Sequence, residues 1–189
     1  IMRQGSDAEG NQIWGTPKAK NSVSMSPIEI WGNLPFDFFD KISLACLNSP
    51  YIIRGSLWVP EGKILNIEPG VVMQFYDNYS GLRIDGSLMA VGDSEPEKNI
   101  IFTNADLGYG IWDKIYFTEK SQNSVLENIS LRSAGGGYGT PCSGDMAGIR
   151  VENSSISLKN SIVENCQYAG LVLINSSSII DNVQFFLQI

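Results

Sequence analysis

The side chains able to do chemistry in this 189-residue chain are carboxylates, amines, guanidinium groups, phenols and three thiols, because histidine is absent. Nucleophiles activated through an imidazole are thereby excluded, and so is imidazole ligation of a metal. Acid and base stand close together at Asp113-Lys114 and between Asp145 and Arg150. Each place offers a carboxylate beside a cation for proton transfer; the competing reading is ordinary solvated surface charge. Tyr109, Trp112, Tyr116 and Tyr138 fall in the same part of the chain. They would make a platform for sugar rings, or pack beneath a loop as a satellite cluster, the commoner fate of such groups. Cys46, Cys142 and Cys166 are too few and too scattered for a zinc site or a disulfide framework. Their odd number leaves at least one as a small buried residue. No metal and no cofactor is implied.

Charge narrows the partners. With 13 Lys and Arg against 20 Asp and Glu the formal charge is −7, which argues against nucleic acid or an anionic membrane surface. No stretch approaches 18 consecutive apolar residues, and polar residues follow Ile1-Met2-Arg3-Gln4, so neither a membrane span nor a signal peptide is expected. A start on Ile suggests processing, which leaves the compartment open.

The elements that must position these groups are strands. Ile and Ser occur 22 times each and Asn 15 times, against only 8 Ala, a mixture poor in helix formers and rich in strand and turn residues. The expected fold class is all-β. Residues 1–50 keep no period of 2 or 3.6 and read as an irregular arm, with one short helix near Phe38 to Leu47. From Tyr51 onward, runs of three to five alternating apolar residues are closed by Pro-Gly, Asn or Asp turns. Laying Gly148 on Gly170, an offset of 22, also superposes Ile149 on Leu171, Val151 on Leu173, Asn153 on Asn175, Leu158 on Ile180 and Asn160 on Asn182. Repeats of that length without a helix favour a coiled sheet over a sandwich. Asp85-Gly86 is the single good two-residue hairpin signal to the contrary. In a coil, Ile, Leu and Val would form columns inside and Asn and Ser columns at the corners. Asn153 and Asn175 would then bond amide to amide, a better reading of these Asn-x-Ser sites than glycosylation.

The runs GSLWVPEGKILNIEPGVVMQF (55–75), LRIDGSLMAVG (82–92), IIFTN (100–104), GIWDKIYF (110–117), SVLENISLRSAGGG (124–137) and GIRVENSSISLKNSIVENC (148–166) carry a resemblance. Together they resemble the right-handed, single-stranded parallel β-helix (β-solenoid) domains of extracellular microbial surface proteins, non-enzymatic relatives of the pectate-lyase-like fold. That resemblance implies about six coils over residues 51–189, capped by residues 1–50, and an extracellular or cell-surface location. Hydrolases of this fold need a Gly-His-Gly element, which cannot exist here. Lyases would need clustered carboxylates with an Arg or Lys base, for which Asp113, Lys114, Asp145 and Arg150 are the candidates. Residues 134–147 interrupt the repeat, so a loop should project there, and loops on rigid scaffolds commonly carry function. Cys142 and Cys166 sit near equivalent places one coil apart and make a candidate disulfide across it. Phe185, Phe186, Leu187 and Ile189 leave the last coil apolar, a candidate assembly end.

Three functional expectations follow. The leading one is a non-catalytic structural or adhesive module that binds carbohydrate or a neighbouring subunit. The enzymatic alternative is a polysaccharide lyase or glycoside hydrolase acting at the inserted-loop face. The third is a subunit of an end-to-end filament.

Overall fold

The structure, a computed structural model, describes residues 5–6, 12–13, 27–105, 110–137 and 146–186. The described chain is all-β, with two single 3₁₀ turns and no α-helix. Strands β1 (Gly5–Ser6) and β2 (Gln12–Ile13) form a small antiparallel pair. All other pairings are parallel and fall into three ladders.

One ladder runs through β3 (Ile28–Trp31), β5 (Tyr51–Arg54), β8 (Val72–Phe75), β11 (Ile100–Asn104) and β14 (Ile129–Arg132). A second runs through β4 (Lys41–Leu44), β7 (Ile64–Ile67), β10 (Ser87–Val91) and β13 (Ser124–Glu127). The third holds β6 (Ser56–Val59), β9 (Gly81–Ile84), β12 (Ile115–Phe117), β15 (Ala147–Glu152) and β17 (Ala169–Ile174). Two longer strands, β16 (Ile156–Glu164) and β18 (Ile179–Phe186), turn a corner: β16 pairs with β13 in its first half and with β14 in its second. The parallel sheets thus curl into a half-barrel, a shape compatible with a solenoid.

Alternation explains why these segments become strands. In β6, β7 and β8 every second side chain points inward and is buried: Leu57 and Val59, Leu65 and Ile67, Met73 and Phe75. Each such side chain contributes about 1.5–3 kcal/mol on leaving water. The 22-residue offset read from the sequence is the register of the last rungs, where Ile149 pairs with Leu171, Val151 with Leu173 and Leu158 with Ile180. The middle rungs are longer, because loops are let in between strands; Ile115 pairs with Leu82, 33 residues before it, and with Ile149, 34 after it.

Asparagine turns the corners. Asn128, Asn153, Asn160, Asn165, Asn175 and Asn182 all have φ between 48 and 55°, a left-handed conformation that asparagine tolerates better than most side chains. The amides also bond from rung to rung: Asn175 Nδ2 donates to Asn153 Oδ1 (3.0 Å) and Asn182 Nδ2 to Asn160 Oδ1 (2.9 Å).

One expectation is corrected. The helix near Phe38 to Leu47 is instead β4 followed by a 3₁₀ turn, Cys46–Asn48, because pairing with β7 and burial of Leu44 reward an extended backbone there. Asp85-Gly86 closes no hairpin; β9 and β10, on either side of it, belong to different ladders. Glycine is needed at this corner for another reason. A Cβ on Gly86 would collide with the carbonyl oxygens of Pro60 and Lys63 in the preceding rung.

Gly86→Ala is therefore expected to lower the unfolding free energy by about 3 kcal/mol, the upper end for forcing a methyl group into packed surroundings. Gly62→Ala, where φ is +75° but no atom lies within 4 Å, should lose only about 1–2 kcal/mol from backbone strain. Urea titrations of the two variants measure the difference, and equal losses would show that close packing of the rungs is not what Gly86 serves.

Candidate functional site

On the outer face of the third ladder, strand register places Trp58, Arg83, Tyr116 and Arg150 side by side in one column. Successive members are about 4.8 Å apart, the spacing of hydrogen-bonded strands. Alternation puts their neighbours Leu57, Ile84, Phe117 and Val151 into the core, so the column is anchored from below. Two residues after Arg83 and Arg150, on the same outer face, stand Asp85 and Glu152.

These groups are closed on one another. The Trp58 indole donates to Asp85 Oδ2 (2.9 Å), Thr118 Oγ1 donates to Asp85 Oδ1 (2.8 Å) and Arg83 Nε lies 3.2 Å from the same oxygen. One coil further, the Tyr116 hydroxyl donates to Glu152 Oε2 (2.9 Å), which also accepts from Arg150 Nη2 at 3.0 Å. The Tyr116 ring is flanked by two guanidinium groups, Arg83 at 5.8 Å and Arg150 at 5.6 Å from its centroid. At these distances each cation is attracted to the ring face.

The electrostatics follow. Burial tends to raise the Asp85 pKa, but hydrogen bonds from Thr118 and Trp58 and the charge of Arg83 outweigh it, so the carboxyl lies below its ordinary value. Burial, with the Glu152 carboxylate, pushes the Tyr116 hydroxyl above its ordinary value despite the two arginines. Asp85 is thus ionised and Tyr116 protonated at neutral pH. Neither is poised for proton transfer, which works best with a pKa near the working pH. Asp85 and Glu152 stand two rungs apart, roughly 9–10 Å by strand spacing. A retaining glycosidase pair needs about 5 Å. An inverting pair stands about 6.5–9.5 Å apart with one carboxyl protonated and one ionised; of these two roles Asp85 fits only the ionised base.

The described residues among those singled out from the sequence take different places. Trp112 does not join a platform: it is fully buried, stacks on Phe75 (centroids 4.0 Å apart, planes within 10°) and donates its indole N–H to the Arg132 carbonyl (2.7 Å). A parallel bridge to Ala134 aligns it with the next rung and draws it inward. Of the two described aromatics Tyr116 stands in the column; Tyr109 and Tyr138 lie outside the described residues. Asp113 and Lys114 form an ion pair at 2.7 Å, and Asp145 lies outside the described residues. Cys166 is a free, buried thiol whose pKa burial pushes up to about 11; Cys142 lies outside the described residues. Phe185 and Phe186 are exposed, while Leu187 and Ile189 lie outside the described residues.

Arg83, Asp85 and Glu152 were not singled out from the sequence. Arg83 occupies the column position of Trp58 one rung on, a signal hidden by the unequal rung lengths. A separate concavity of about 510 Å³ is lined by Gln122, Asn123, Ser155, Ser157 and Ser177 among others, with no acid or base in its wall. Among the described residues no three cysteine or acidic side chains converge as metal ligands. Comparison with known proteins finds no matching family model, no similar curated protein and no similar solved structure.

Because the folded pKa of Asp85 is depressed, its contribution to stability is complete above the ordinary value of 3.8 and is lost as pH falls through the lower folded value. Asp85→Asn should therefore be less stable than the parent at neutral pH and should lose less stability on acidification. Denaturant midpoints recorded against pH test this, and parallel curves for the two proteins would contradict it.

Proposed function

We propose that the chain winds as a right-handed parallel β-helix and serves as a non-catalytic structural or adhesive module on an extracellular or cell surface. Its lateral face around Tyr116 meets carbohydrate or a neighbouring subunit. The handedness is supported by the steric rule that parallel strand–crossover–strand connections are right-handed in nearly all proteins. The observation that carries the function is the closed column: two arginines are matched by two carboxylates, with an aromatic ring fixed between the cations. Such a face is rigid and pre-organised, which lowers the entropic cost of binding. Asp85 is held ionised and Tyr116 protonated at neutral pH. Incubation with polygalacturonate, alginate and peptidoglycan is expected to leave all three intact; new reducing ends or unsaturated products would favour the polysaccharide lyase or glycoside hydrolase reading.

A second reading, self-association into a filament, is favoured by one observation. Leu173 and Ile179 are exposed apolar residues beside Phe185 and Phe186 on β17 and β18, the outermost strands of their ladders among the described residues. An apolar row on an unpaired strand edge is a template for further pairing. Light scattering on a concentration series should then show growth that Phe185→Ser with Phe186→Ser abolishes, whereas a monodisperse monomer throughout removes this reading.

A further inference from the structure

Away from the Tyr116 face, the first ladder carries another outward column. Trp31 pairs with Arg54, and one step beyond the Ile53–Phe75 pair Arg54 comes level with Tyr76, whose N–H bonds the Ile53 carbonyl at 3.0 Å. The Arg54 guanidinium lies 3.6 Å from the Tyr76 ring centroid and 4.8 Å from that of Trp31. One carboxylate organises all three. Glu29 Oε1 and Oε2 accept from Arg54 Nη2 and Nε, each at 3.0 Å, and Oε2 also accepts the Trp31 indole N–H at 3.0 Å. Yet Trp31 is 69% exposed and Tyr76 52% exposed.

A tryptophan whose only role was packing would bury its ring; here the ring is pinned by its N–H and by a stacked cation while most of it faces water. The ordering cost of a binding aromatic has already been met in the free protein. Arg54 spends its charge on the two-pronged bond to Glu29, so the column offers an anion little attraction. The net charge of −7 disfavours nucleic acid in the same way. What the column does offer is flat π faces beside polar groups. Gln74 lies on the same outward face two residues before Tyr76, and Asp77 follows it, its Oδ1 held by Ser80 Oγ (2.8 Å) and the Tyr79 N–H (3.0 Å). A pyranose ring has the matching surfaces, C–H groups for the π face and hydroxyls for amide and carboxylate.

We propose that Trp31, Arg54 and Tyr76 form a binding site for neutral polysaccharide, with sugar rings stacked along the column and hydroxyls directed to Gln74 and Asp77. The site is separate from the Tyr116 face and does not depend on that face binding anything.

Native gel electrophoresis of the full chain through gels containing hydroxyethylcellulose, galactomannan or polygalacturonate tests it. Retardation is expected in at least one neutral-polymer gel. Trp31→Ala and Tyr76→Ala should each weaken it about tenfold or more, the scale of losing an aromatic anchor. Trp31→Phe should keep most of the affinity, and Leu47→Ser, at an exposed residue in neither column, all of it. Circular dichroism and melting of Trp31→Ala should match the parent, since so little of the ring is buried. No retardation by either neutral polymer, retardation confined to polygalacturonate, or retardation that survives Trp31→Ala overturns the site. So does Trp31-dependent self-association without polysaccharide, which would assign the column to a second copy of the chain. Loss of binding in Tyr116→Ala alone overturns this site and supports the lateral face; loss in Trp31→Ala alone supports this site and leaves the lateral face to a neighbouring subunit.

Discussion

Backbone hydrogen bonds in the described ladders run between rungs and not within them. Residues Ile64–Ile67 receive their partners from Lys41–Leu44 on one side and from Ser87–Ala90 on the other, each a full coil away in sequence. A strand of four residues cannot hold itself together, so each rung exists because its neighbours do, and the rungs form columns of equivalent residues. Everything else follows from that pairing. The inner columns become one continuous apolar core, the corners need residues that tolerate positive φ, and the outer columns become ordered arrays of whatever side chains the chain places there.

Both candidate surfaces are products of such columns. In each, an arginine is laid against aromatic rings by register alone and fixed by a carboxylate, two residues along its own strand for Arg83 and Arg150 and on the neighbouring rung for Arg54. Glu29 does this for Arg54 and Trp31, while Asp85 and Glu152 do it for Arg83 and Arg150. Closing the charges makes the faces stiff and nearly neutral. It also holds Asp85 below and Tyr116 above their ordinary pKa values.

Much of the architecture is legible in the residues. Period-2 alternation points Trp58 and Tyr116 outward, and the 22-residue spacing of Asn153 and Asn175 anticipates their amide bond. Less legible are the places where rungs change length. Between Val72 and Ile149 the partners stand 29 to 36 residues apart, so no single offset aligns Arg83 with Tyr116 or Glu152 with Asp85. Trp112 misleads for a related reason. Beside a loop it resembles a surface aromatic, but its bridge to Ala134 carries it into the stack on Phe75.

What the chain's own residues determine is local: strands from alternation, turns from Asn, Gly and Pro, the absence of imidazole chemistry, and an acidic balance. These depend on each residue and its near neighbours, and so can be read along one dimension. The tertiary structure alone decides which outward side chains share a column, that β4 is a strand and that Gly86 must lack a Cβ. It also decides that Trp31 is pinned open while Trp112 is buried. Those outcomes depend on contacts between rungs, where a loop of any length shifts the partner without changing the local pattern, so only the closed register of the stacked strands fixes them.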